Sequence, residues 1–129
     1  MTEKTFVNGE IVTAIYKTGK YIGEITDERA NAYLVRVLAV VNHPTQGDLH
    51  NPKQTDVSLF HQRRALAYRE QTNVPKNMVR PYDETVIPDY QSSLKAALEK
   101  QKQKLNEGGR EWDQKSLEMI AELEADYFK

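Results

Sequence analysis

The apolar residues of this chain change their spacing once, at Ile87-Pro88-Asp89-Tyr90, and that single change divides what the chain can fold into. Before it, β-branched and aromatic residues come in short runs broken by Gly, Asn, Asp and Pro, the pattern of strands joined by turns. After it, apolar residues recur at helical spacing. At 129 residues the chain suits one domain, or one small domain with an appendage.

In the first part, Val7 to Tyr16 reads as a first strand, closed by the turn Lys17-Thr18-Gly19-Lys20. Tyr21 to Thr26 reads as a second, whose internal Gly23 points to a bulge or sharp bend of the kind a small barrel needs to close. Tyr33 to Val41 is the most apolar run and is expected to be central. A long loop from Asn42 to about Thr55 follows. Phe60 to Glu70 reads as a strand with Phe60, Leu66 and Tyr68 on one face, or as a helical turn leading into one, with the strand favoured from about Arg64; turn chemistry follows over Gln71 to Asn77, then an edge-like strand from Met78 to Tyr82. Near five short strands with one long insert argue for a mainly β fold with α, a small SH3-like β-barrel over residues 1–88.

Residues 89–129 read as a C-terminal helical hairpin. Asp89 is placed to cap a helix that buries Leu94, Ala97, Leu98 and Leu105, and Gly108-Gly109 stops it. A second helix from Arg110 or Glu111 presents Trp112, Met119, Ile120, Leu123 and Tyr127 at helical spacing. Because Lys100 to Lys104 is wholly polar, the first helix is expected to project in part. Some of the second helix's apolar stripe would then lack an internal partner, which favours a homodimer or a protein ligand.

The chain has no cysteine, which removes disulfides, thiolate metal sites, cysteine nucleophiles and lipidation through cysteine together. With no signal-peptide pattern at Met1 to Thr5 and no apolar run of membrane-spanning length, the cytoplasm is the expected location. Eighteen Lys and Arg stand against nineteen Asp and Glu, so the positive excess that drives nucleic-acid binding is missing.

Two of the three histidines sit in the stretch His43-Pro44-Thr45-Gln46-Gly47-Asp48-Leu49-His50-Asn51-Pro52. His43, Asp48 and His50, with His61, have the ligand chemistry of a zinc or iron site, and Asp48 with His50 is half of a general acid/base pair. Against a small metal-dependent protein or hydrolase stand two facts: nothing pre-orients the histidines at a fixed spacing, and no serine lies in a nucleophile-elbow context. The plainer reading has the imidazoles and Asp48 hydrogen-bonding the loop backbone and fixing its shape. No catalytic residue, cofactor or metal ligand is assigned. Arg63, Arg64 and Arg69 form the one local basic concentration, suited to an acidic partner or simply to wetting a strand. The tyrosines at 16, 21, 33, 68, 82 and 90 recur at strand ends, where they line either a peptide groove or the rim of the core.

Tyr16-Lys17-Thr18-Gly19-Lys20-Tyr21-Ile22-Gly23-Glu24-Ile25, the stretch from His43 to Pro52, Arg64 to Glu70 and Ile87-Pro88-Asp89-Tyr90 together resemble the kinase-associated protein B family of spore-forming Gram-positive bacteria. The resemblance runs through nearly the whole chain in order. It implies an SH3-like barrel with a helical extension, and a non-enzymatic accessory role beside a sensor histidine kinase that feeds the sporulation phosphorelay. Members are sometimes described as lipoproteins. With no cysteine to acylate, membrane association here is expected to be indirect, through the kinase. The surface expected to meet that partner comprises His43, Gln46, Asp48, His50, Arg63 and Arg64.

Overall fold

A computed structural model of the chain describes residues 5–47 and 62–129. It is mainly β with α: five antiparallel strands, β1 (Ile11–Tyr16), β2 (Gly19–Glu28), β3 (Ala32–Asn42), β4 (Gln71–Pro75) and β5 (Val79–Pro81), precede two helices, α1 (Tyr90–Gly108) and α2 (Glu111–Tyr127). The strand order β4-β3-β2-β1-β5 is a meander whose last strand returns to the first, after one 3-10 turn at Lys76–Met78. This is an SH3-like arrangement left open between β4 and β5. β3 is indeed central, paired to both β2 and β4.

The sheet curls because β2 and β3 do not keep step. Their register shifts three times, and one shift falls between Ile22 and Gly23. A Cβ on Gly23 would sit 2.5 Å from Val35 Cγ1 and 2.7 Å from the Arg36 carbonyl oxygen, so the residue is glycine because β3 crosses directly over it. The bend expected from the sequence is there.

The curl gives the long strand β3 two sets of neighbours. Tyr33 and Val35 join Phe6, Val12, Ala14, Ile25, Val74 and Val79 in a core inside the sheet. Val37 and Val40, with Tyr21, join the helical residues Leu94, Leu98, Leu105, Trp112 and Ile120 in a second core.

Two expectations are corrected. Residues 64–67 form no strand, and the fourth strand is Gln71–Pro75, where turn chemistry was read. Val74 is the one buried side chain of that strand, so no alternating pattern marks it. An edge position, paired on one side only to β3, tolerates Pro75 at its end. The first strand also starts later than Val7, which is exposed and leads into a turn around Gly9.

The hairpin follows the sequence closely. Asp89 Oδ2 accepts the Ser92 N–H at 3.0 Å, α1 ends at Gly108, and Gly109 is left-handed at φ 69°. The Asp113 carboxylate, buried in the first turn of α2, accepts from the Arg110 backbone N–H at 3.0 Å and the Arg110 Nε–H at 2.9 Å. Ile120 and Leu123 are buried within the chain and Trp112 nearly so. That covers within the chain much of the apolar stripe that was expected to lack an internal partner.

Replacing Gly23 by Ala should lower unfolding stability by about 1–3 kcal/mol, the usual cost of overpacking against a neighbour that cannot move. Urea unfolding of G23A and the native chain measures it, and equal midpoints would mean that the crossing is looser than described.

Candidate functional site: the buried anchor at the base of the long loop

The segment Arg63–Ala67 has strand-like composition but no strand partner, and side chains stand in for one. Gln46, buried to 2% exposure, donates from Nε2 to the Arg63 carbonyl at 2.8 Å and accepts the Arg63 N–H on Oε1 at 2.8 Å. One side-chain amide thus reproduces the paired bonds of a β-bridge. The Ala65 N–H is taken by the Tyr127 hydroxyl oxygen at 2.9 Å and the Leu66 N–H by that of Tyr21 at 3.2 Å. Tyr90 donates its hydroxyl to the Leu66 carbonyl, and Glu70 Oε1 accepts the Ala67 N–H at 2.8 Å. Each buried backbone group left without such a partner costs about 1–3 kcal/mol.

His43 sits at the centre of this knot, 4% exposed. Its Nδ1 lies 3.1 Å from the Pro44 carbonyl oxygen and its Nε2 2.9 Å from the Tyr127 hydroxyl. A carbonyl only accepts, so Nδ1 carries the proton, Nε2 is the acceptor, and Tyr127 donates to it while accepting from Ala65. The Pro44 oxygen also accepts from Gln46 Nε2 and Gln101 Nε2, each at 3.0 Å. The imidazole is neutral and fully engaged. Burial pushes its pKa below the usual 6.5, against the opposing pull of the Pro44 carbonyl and the Gln101 amide. Burial likewise raises the Tyr21 hydroxyl to about 12 and lifts those of Tyr90 and Tyr127. All three hydroxyls keep their protons at neutral pH.

The arginines face outward from the same knot. Arg63 Nε donates to the Gly47 carbonyl at 3.1 Å, joining the two sides of the loop base. Arg64 pairs with Asp126, and its guanidinium lies 5.0 Å from the centre of the Tyr127 ring. Beside them Tyr16, Lys17 and Leu66 line a depression of about 320 Å³.

Of the six residues expected at a partner surface, the structure brings His43, Gln46, Arg63 and Arg64 together, the first two buried and Arg64 exposed. Asp48 and His50 lie outside the described residues, as does His61. Among the described residues no three His, Asp or Glu side chains are grouped to hold a metal. Both nitrogens of His43 are already engaged. Tyr127 and Gln101 were not singled out as polar partners, since helical spacing assigns Tyr127 to the apolar stripe and cannot show where its hydroxyl ends. Among the strand-end tyrosines, Tyr21 and Tyr33 are buried, whereas Tyr68 is exposed and meets the Tyr90 ring at a tilt, centroids 5.8 Å apart.

An open SH3-like sheet closed on one side by a helical hairpin, with its buried polar groups holding its own backbone, defines a small module with no assembled catalytic constellation among the described residues. The family model for kinase-associated protein B matches residues 16–128. The chain is 57% identical over 124 residues to kinase-associated lipoprotein B of Bacillus subtilis (strain 168), covering 96% of each. The crystal structure of kinase-associated protein B from Bacillus cereus superposes with a TM-score of 0.81 at 50% identity, over 95% of this chain and 98% of that one. The chain belongs to the kinase-associated protein B family.

Two measurements test the knot. Tyr127→Phe removes the partner of the Ala65 N–H and of His43 Nε2 together, and should cost about 1–3 kcal/mol in urea unfolding. A smaller loss than that from Tyr68→Phe, at an exposed ring, would contradict the assignment. For His43, the unfolded chain binds the extra proton between the depressed folded value and 6.5, so its contribution is present above 6.5 and lost as pH falls through the folded value. Unfolding free energy should therefore decrease as pH is lowered through that window, and His43→Gln should flatten that part of the curve. Parallel pH profiles for the two proteins would show that His43 is not buried neutral.

Proposed function

We propose that this chain is a non-enzymatic accessory protein that binds a sensor histidine kinase and promotes phosphate flow into the sporulation phosphorelay. Membership of a family named for kinase association carries the reading. The internal engagement of the polar knot supports it, because His43 and Gln46 have no hydrogen-bonding capacity directed at a substrate.

The contact surface is the outer side of the loop base. Arg63 and Arg64 present charge, Asp48 and His50 belong to the adjoining stretch, and His43 with Gln46 holds the base in shape. Guanidinium groups suit such a surface, since they form directional pairs with carboxylates and stack on aromatic rings.

The protein acts in the cytoplasm, at the inner face of the membrane where its kinase partner places it. No helix among the described residues is long and apolar enough to cross a membrane, and the sequence contains no cysteine to acylate. The Bacillus subtilis relative is named a lipoprotein; in this proposal the kinase brings the chain to the membrane.

Tagged native protein and an Arg63→Ala, Arg64→Ala variant, compared by pull-down of the kinase from sporulating cells, test the surface. Capture should fall about tenfold, the effect of losing roughly 1.4 kcal/mol at an interface. A folded variant that captures the kinase as well as the native protein would remove this surface, and failure of the native protein to capture it would remove the function.

A further inference from the structure

A second concavity, of about 520 Å³, lies between the stretch after β3 and the helical corner, within the size range of ligand sites. Asn42 and Thr45 line it from the sheet side, Lys100 and Lys104 from α1, and Arg110 and Trp112 from the start of α2.

Several other cations around the hairpin face a carboxylate: Lys102 pairs with Glu99 and Glu124, Arg110 with Asp113, and Arg64 and Lys129 share Asp126, while Lys95 makes no ion pair among the described residues. Lys100 is instead held by neutral oxygens, 3.2 Å from the Val41 carbonyl and against the Asn42 side-chain oxygen. An ammonium fixed in that way keeps its full charge and one open N–H. Lys104, one turn further on, makes no ion pair among the described residues.

Lysines four residues apart on a helix have Cβ atoms about 5–6 Å apart, close to the roughly 6.6 Å at which an extended chain repeats on one side. Between them and the helical corner the lining combines apolar surface from Ala97, Leu105 and Trp112 with Gln101 and with the Asp113 carboxylate, which is paired to Arg110. An inorganic anion meets the charge but makes no use of that apolar surface.

We propose that this cleft binds a short, extended acidic peptide segment of a partner protein, with two alternate carboxylates on Lys100 and Lys104 and an adjacent apolar side chain over Leu105 and Trp112. The site is separate from the arginine surface and stands whichever protein supplies the segment.

The test is an NMR titration of the full chain with the capped hexapeptide Glu-Leu-Glu-Leu-Glu-Glu. Amide shifts should concentrate at Asn42, Thr45, Lys100, Lys104 and Trp112, and affinity should fall several-fold as salt rises from about 0.05 to 0.3 M and shortens the Debye length. Lys104→Glu, a change at an exposed side chain without partners, should weaken binding about tenfold, or roughly 1.4 kcal/mol, while leaving the spectrum otherwise folded. The same peptide with its leucines replaced by serine should bind more weakly. Unchanged binding by Lys104→Glu, or shifts centred elsewhere, would overturn the site. Equal binding by the serine peptide or by inorganic phosphate would overturn the peptide assignment and leave a simple anion site.

Discussion

The fold depends on how the backbone of residues 63–67 is satisfied. This segment crosses between sheet and hairpin without joining either, and a buried backbone cannot leave its N–H and C=O groups bare. Gln46, Tyr21, Tyr90, Tyr127 and Glu70 supply the missing partners. Those side chains come from the loop base, β2, both helices and the segment's own turn. The hydrogen bonds that hold one stretch of chain therefore also fix the hairpin onto the sheet.

The same bonds place residues 46–47 and Arg63 side by side. Gln46 and Gly47 on one side meet Arg63 on the other through two amide bonds and a guanidinium bond. Bringing those ends together carries an entropic cost that grows only slowly with the number of residues between them. Three hydrogen bonds at a partly buried site can offset it. The two described ends on either side of residues 48–61 are thus held together, and His43 contributes there through the Tyr127 hydroxyl that it shares with Ala65.

Most of the fold was legible because its signals are local. Asp89 and Gly109 end α1 through their own geometry, and Gly23 marks a bend because no other residue fits under Val35 and Arg36. Arg64 to Glu70 misled for the opposite reason. The expected alternation, with Leu66 and Tyr68 on one face, is not there: Ala65 is buried, Leu66 half-buried and residues 67–70 exposed, and the ladder a strand would need is replaced by side chains from positions far away in sequence. Gln71 to Pro75 carries a single inward residue and so no pattern at all. The site was legible in part: sequence grouped His43, Gln46, Arg63 and Arg64, yet could not separate residues that hold the base from those that face outward. That separation is set by burial, which depends on Tyr127, 84 residues from His43.

Concentrated histidine and carboxylate is ambiguous as chemistry until the state of each nitrogen is known. A metal ligand or general base needs a free lone pair directed at a cavity. Here the Nε2 lone pair of His43 is directed at a tyrosine hydroxyl, and its Nδ1 proton at the Pro44 carbonyl. A module in which the most reactive buried side chain is held in this way can act on another protein through shape and charge alone. Its two outward cationic features differ in kind: Arg64 is already paired with Asp126, whereas Lys100 is held in place by neutral oxygens. An acidic partner gains more from the second, because a charge already fixed and still lacking a counter-ion loses little freedom when the ion pair forms.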